Sequence, residues 1–104
     1  MTAHLFIRAE VPDENDREAF DRWYDQEHLP QAVAAFRAVK AWRGWSETDP
    51  AVHYAFYEFR ELSALQRVLE PDVMGPLKAE FDRCWGARVP RSREVVVSRQ
   101  TLAW

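Results

Sequence analysis

A single cysteine, Cys84, and only three glycines occur among the 104 residues of this chain. One thiol excludes an intrachain disulfide and a thiolate metal cluster, and it fits a reducing compartment. So few glycines leave no phosphate-cradling loop, and neither a serine nucleophile elbow nor a zinc-ligand spacing occurs. No apolar run approaches the length of a membrane span. The segment Met1-Thr2-Ala3-His4-Leu5 lacks the basic start and long apolar run of a secretory signal, so a soluble cytoplasmic protein is expected. A net charge of −3 gives no general attraction to phosphate backbones, and nucleic acid is not an expected partner.

What the chain does have is aromatic area. Apolar residues make up 47% of it and five are tryptophan, a quantity that serves either a core or an interface and ligand cavity. The length predicts one domain, residues 1–104, with a single core. Charge is uneven: acids dominate from Glu10 to Glu27, and Arg83, Arg88, Arg91, Arg93 and Arg99 make the last quarter basic. Acids in the first turns of a helix favour its positive end. The basic stretch could bind an anion, but solvated strand edges and loops are the more ordinary use of such residues.

Periodicity orders the elements. His4 to Val11 alternates as a strand that Pro12 ends, and Asp13 or Asn15 can then cap a helix running to about Leu29. Pro30 ends or kinks that helix, with one or two further turns through Gln31 to Phe36. Val39 to Ser46 and Val52 to Arg60 read as a hairpin across Glu47-Thr48-Asp49-Pro50. A second helical region begins near Leu62 with Ser63 as its candidate cap, breaks at Pro71 and resumes through Val73, Leu77, Phe81 and Cys84-Trp85. The last strand is expected from Glu94 to about Trp104. The order β-α-β-β-α-β predicts an α+β fold: a ferredoxin-like antiparallel sheet with its helices on one face. Both faces of every strand carry large apolar side chains, so the face without helices needs a cover, and a homodimer formed sheet against sheet is the simplest one.

The segment Trp23-Tyr24-Asp25-Gln26-Glu27-His28-Leu29-Pro30 concentrates the chemistry. At helical spacing Phe20, Trp23, Tyr24 and Glu27 share a stripe, with His28 on its flank. The segment Phe20-Asp21-x-Trp23-Tyr24-Asp25-x-Glu27-His28-Leu29-Pro30, followed later by Tyr54-x-x-Tyr57-Glu58-Phe59, resembles the EthD-like branch of the dimeric α+β barrel superfamily. The resemblance implies dimerisation through the sheets and a cavity between sheet and helices. Relatives across that superfamily include cofactor-independent monooxygenases, polyketide cyclases, dehydratases, isomerases and haem-handling enzymes, and many EthD-like members have no assigned activity. Where relatives often carry Pro-Gly-Phe after the His-containing helix, this chain has Ala34-Ala35-Phe36, so the turn and the pocket mouth are expected to differ.

His28 is the first candidate for chemistry. A helix end and Asp25 one turn earlier favour its protonated form, whereas desolvation opposes it. It could donate a proton or hydrogen bond to a substrate oxygen or shuttle a proton during enolisation. Equally, it could satisfy carbonyls left open by Pro30. Asp25 and Glu27 are secondary catalytic candidates, as partners of His28 or as a general base; Glu27, on the apolar stripe, would then need a buried partner such as Arg8, Arg43 or Tyr57. Trp23, Tyr24, Tyr54 and Tyr57, with Trp42 or Trp45, are the candidate substrate-binding wall. Single histidines on strands, His4 and His53, read as ordinary surface or interface residues. Neither a metal nor another cofactor is expected, and Cys84 reads as a buried inert thiol. Two functions fit: a small enzyme without a bound cofactor acting on an aromatic or apolar oxygenated compound, or a non-catalytic small-molecule-binding or accessory homodimer.

Overall fold

Strand β1 (Ala3–Glu10) buries Ala3, Leu5 and Ala9 on one side and turns His4, Phe6 and Arg8 to the other, as its period-two sequence requires. It lies at the centre of an antiparallel sheet in the computed structural model, which describes residues 1–103. Its neighbours are β3 (Val52–Phe59) and β4 (Arg91–Val97), and β2 (Lys40–Trp45) pairs with the far side of β3. The strand order β2-β3-β1-β4 is the ferredoxin-like arrangement. Strand β4 starts earlier than its sequence suggests, because Arg91–Val97 runs in register opposite Ala3–Ala9. Ser98 closes it with an N–H bond of 2.9 Å to the Thr2 carbonyl, so the expected strand does not continue from there, and Trp104 lies outside the described residues.

Helix α1 (Glu14–Trp23) begins at Asp13, whose carboxylate accepts from the Asn15 N–H at 3.0 Å. It does not end at Pro30. Tyr24–His28 form one π-helical turn, closed by the Leu29 N–H on the Tyr24 carbonyl, and α2 (Leu29–Phe36) follows with Pro30 in its first turn. In a regular α-helix the Pro30 ring collides with the carbonyl four residues back, and the wider turn is how the backbone accommodates it. Ala34-Ala35-Phe36 complete α2, and Arg37 then takes the left-handed conformation (φ 55°) that glycine usually supplies, its N–H bonded to the Val33 carbonyl at 3.0 Å. The second helical region is two helices, α3 (Leu62–Val68) and α4 (Pro71–Cys84). Pro71 starts α4, where its missing N–H costs nothing, and Glu61 rather than Ser63 occupies the α3 N-cap.

The core forms where these helices cover the sheet. Phe20 is fully buried and meets six rings, those of Trp23, Tyr24, Trp45, His53, Phe81 and Trp85, at centroid distances between 5.2 and 6.0 Å. The opposite face carries a second aromatic group without helices over it. Trp42 and Tyr54 stack on Phe56 at 4.9 and 5.9 Å, and Phe6 meets it edge-on at 5.0 Å. Trp42 is 42% exposed there, an unusual cost for a large ring in an isolated protomer. No helix among the described residues is long and apolar enough to cross a membrane.

Because Phe20 joins the first helix, β2, β3 and α4, its truncation removes contacts on every side. Phe20→Ala is expected to lower the unfolding free energy by about 3–5 kcal/mol, measured by urea denaturation.

Candidate functional site

The π-helical turn sets the geometry. With i→i+5 closure, His28 takes the position under Trp23 that Glu27 would occupy in a regular helix. The His28 ring stacks on Trp23 at 4.5 Å with an interplanar angle of 18°. The rings of Tyr24 and Phe81 meet it edge-on at 4.8 and 5.7 Å. Glu27 is thereby turned to solvent, away from the apolar stripe on which 3.6-residue spacing places it, and needs no buried partner. Asp25 also leaves the site: its side chain is 72% exposed and lies 3.9 Å from Arg43.

Desolvation controls the charge of His28. The helix continues past it into α2, so no C-terminal dipole acts there, and Asp25 faces elsewhere. Burial is the main cause that pushes its pKa down to about 4; the nearby Arg91 cation adds to this, and Glu80 opposes it. His28 is therefore neutral at physiological pH. Its Nδ1 is buried without a hydrogen-bond partner, and its side chain caps no helix. The carbonyl bookkeeping around Pro30 is done by the backbone of the π-helical turn instead.

Beside His28 a partly open cavity of about 470 Å³ lies between the sheet and helices α2 and α4. Tyr24, His28 and Tyr57 line it with Ile7, Phe36 and Phe81, while Met74, Gly75 and Leu77 contribute the α4 wall. A Cβ on Gly75 would meet nothing within 4 Å, so this glycine leaves open volume on the cavity side of α4. Burial pushes the Tyr24 phenol up to about 12 and raises that of Tyr57 well above its usual range, so both stay protonated. The two hydroxyls lie close enough to perturb each other, yet Tyr57 Oη is outside hydrogen-bond geometry with any partner. Beside Phe36 and Phe81 the cavity wall thus holds one unsatisfied phenol and one neutral imidazole.

Of the expected wall, Tyr24 and Tyr57 face this cavity, and Trp23 supports His28 from behind. Tyr54 does not reach it. Strand alternation puts Tyr54 on the helix-free face, with Trp42, where it lines a shallow depression of about 240 Å³ with Phe6, Arg8, Ser92, Arg93 and Glu94. Trp45 is on the helix side but donates its Nε1 proton to Asp21 at 2.8 Å.

Asp21 anchors a polar cluster that the sequence did not single out. Its Oδ1 accepts from Arg43 at 2.8 Å as well, and Arg43 first, then Trp45, hold its carboxyl below the usual range. Arg43 also donates to His53 Nε2 at 3.2 Å. A guanidinium only donates, so Nε2 is the bare nitrogen of His53 and Nδ1 carries the proton, buried and without a partner. His53 is completely buried rather than a surface residue, and burial, reinforced by Arg43, pushes its pKa to about 4. Its ring packs against Tyr24 at 4.5 Å, so this cluster supports the cavity wall from outside. The signal in the sequence was the pairing of Asp21 with two β2 side chains two residues apart, visible only once β2 was placed over α1.

His4, by contrast, pairs with Glu58 at 3.1 Å on the helix-free face. Cys84 is half-buried, its thiol raised by burial and directed at Glu80 at 3.7 Å. Among the described residues no three His, Cys, Asp or Glu side chains gather as metal ligands.

The sequence matches no family model, and no curated protein is similar to it. Solved structures share its fold. A cofactor-independent oxygenase from Streptomyces nogalater, SnoaB, is 16% identical, with a TM-score of 0.67 over 97% of this chain and 96% of that one. An ethyl tert-butyl ether D (EthD) family protein from Bacillus halodurans is also 16% identical, with a TM-score of 0.69 over 90% of this chain and 97% of the other. A dimeric ferredoxin-like protein from an uncultured marine organism is 13% identical, with a TM-score of 0.72 over 98% and 99%. The fold of this chain is therefore the ferredoxin-like fold that these structures share.

Two neutral histidines in the core tie stability to pH. Their folded pKa values, about 4, lie below the ordinary 6.5, so the stabilisation is complete above pH 6.5 and is lost as pH falls toward 4. Full protonation is expected to cost on the order of 3 kcal/mol for each histidine. Urea unfolding between pH 8 and 4 checks this, and the decline should be shallower in His28→Gln and His53→Gln proteins.

Proposed function

We propose that this chain is an EthD-like, cofactor-independent enzyme acting on an aromatic or apolar oxygenated compound, in a reaction of the cyclase, dehydratase, isomerase or monooxygenase type. The observation that carries the reading is the cavity of about 470 Å³ with a neutral, stacked His28 in its wall. That volume suits a small organic ligand, and the lining offers many apolar contacts with few polar ones. With Nδ1 sealed and unpartnered, the proton is better placed on Nε2, the ring nitrogen left to meet a ligand. His28 then acts as a neutral hydrogen-bond donor to a substrate oxygen that gains negative charge, as in enolisation. Tyr24 and Tyr57 form the adjoining wall and supply phenol donors that stay protonated. Trp23 holds the imidazole plane, while Asp25 and Glu27, facing solvent, take no part.

One observation favours a second reading, a non-catalytic binder: no carboxylate is hydrogen-bonded to His28 among the described residues, so it lacks the partner that usually raises the basicity of a catalytic imidazole. The two readings differ in one variant. His28→Phe keeps the stack on Trp23 and the volume while removing the donor. The enzyme reading expects it to retain the fold but to lose about 10²–10⁴-fold in turnover of whichever phenolic or ketonic aromatic the wild type converts. A wild type that binds such compounds and converts none across a broad panel establishes the binder instead.

The protein acts as a homodimer in this proposal, its partner covering the helix-free face. Trp42, Phe56 and Val96 give that face its apolar centre, and a solved protein of the same fold is described as dimeric. Analytical ultracentrifugation should find a dimer at micromolar concentration and a monomer for Trp42→Glu; a monomeric wild type overturns the assembly.

A further inference from the structure

The charged side chains lining the cavity are all of one sign. Lys78, Arg91 and Arg93 face it, and among the described residues no acidic side chain does. This stands against a chain whose net charge is −3, so the cavity is a cationic spot on an acidic protein. Neighbouring compensation is incomplete: Asp82 pairs with both Lys78, at 2.9 Å, and Arg91, at 3.1 Å. One carboxylate thus serves two cations, and Arg93 enters no ion pair among the described residues.

Position makes the group useful. Arg91 and Arg93 are alternate residues of β4, opposite Ala9 and Ile7 of β1, so both project to the cavity side about 7 Å apart. Arg91 is held in place, its guanidinium 3.8 Å from the Phe81 ring and its side chain only 23% exposed. Its charge already reaches the inner wall, where it is among the causes of the neutrality of His28. Lys78 and Arg93 are exposed and mark the mouth, while Phe36, Leu77 and Phe81 make the body apolar.

Resting on the reading of the cavity as a small-molecule site, we infer that its ligand is an aromatic carboxylate, whose anionic group is held at the mouth by Arg93 and Lys78 with Arg91 beneath them. The ring then lies along the apolar wall and the opposite end reaches Tyr24, Tyr57 and His28. A fixed anion at one end gives the ligand a single orientation, which apolar contact alone does not. The carboxylate also gives Arg93 a charge-assisted partner and offsets the positive charge that one Asp82 leaves over.

Naphthoate and its uncharged amide, naphthamide, provide the test, with binding followed by tryptophan fluorescence and calorimetry on the full chain. Naphthoate should bind about five- to tenfold more tightly than naphthamide, with a preference that shrinks as salt is raised. Arg93→Gln should reduce the preference and Arg93→Glu abolish it, and neither exposed substitution should disturb the fold. Arg91→Lys, which retains the charge, should preserve most of it. Equal binding of the two compounds, or a preference unaffected by Arg93→Glu, overturns the inference and leaves the cavity reading intact. If neither compound binds and the cavity of a crystal structure is closed, the cavity reading itself falls.

Discussion

Pro30 in the middle of a long helix is the constraint on which the rest of the site depends. A proline ring cannot follow a regular α-helical turn without striking the carbonyl four residues back, and the chain meets this with one turn of i→i+5 bonding. That turn costs hydrogen-bond geometry, but it also changes which side chains share a face. Trp23 and His28 come into stacking contact, and Glu27 and Asp25 rotate to water. A regular helix through the same residues would put a carboxylate against the aromatic core, where an unpaired charge is heavily penalised. The bulge therefore keeps charge out of the core and places an imidazole in the cavity wall by one backbone change.

Once His28 is inside, the surrounding rings fix its electrostatics. Trp23, Tyr24 and Phe81 replace water on three sides without supplying an acceptor, so the neutral form is the one the fold retains. The same logic applies to His53 on the other side of Tyr24, where Arg43 supplies a donor and a repelling charge. Tyr24 is thus packed between two uncharged imidazoles. Charge reappears at the two ends of this aromatic group: Asp21 with Arg43 at the β2 side, and Arg91 with Asp82 at the cavity mouth. A weakly polar interior bounded by fixed ions makes any charge developing within it sensitive to those ions.

The topology and the two-faced sheet are legible in the sequence because each rests on strong local patterns: alternation in His4–Val11 and Val52–Arg60, and turn residues at Pro12 and Pro50. The Trp-Tyr-Asp-x-Glu-His-Leu-Pro segment was legible as the place of interest. Its internal geometry was not, since a 3.6-residue stripe assumes a regular helix, and Pro30 makes the helix irregular at that point. Hence regular spacing predicts Glu27 inward, and it predicts an end or a kink at Pro30, of which the structure shows the irregular continuation. The cationic mouth was hidden for a different reason. Arg91 and Arg93 are unremarkable members of a basic strand until β4 is placed beside β1 and α4 across it, and Lys78 lies more than forty residues along the chain from α2. Tyr54, expected in the cavity wall, differs in parity from Tyr57, and strand alternation puts the two on opposite faces.

Strand β4 links the two faces of the protein. Its odd-numbered residues Arg91 and Arg93 look toward the cavity, while Ser92, Glu94 and Val96 alternate to the helix-free face. Arg93 borders both the cavity and the shallow depression beside Phe6 and Tyr54. As an edge strand, β4 has a ladder partner on one side only, and helix α4 touches its start through Asp82 and Phe81. Side chains on the two faces of β4 hang from one backbone, so the proposed dimer surface and the proposed cationic rim share this strand.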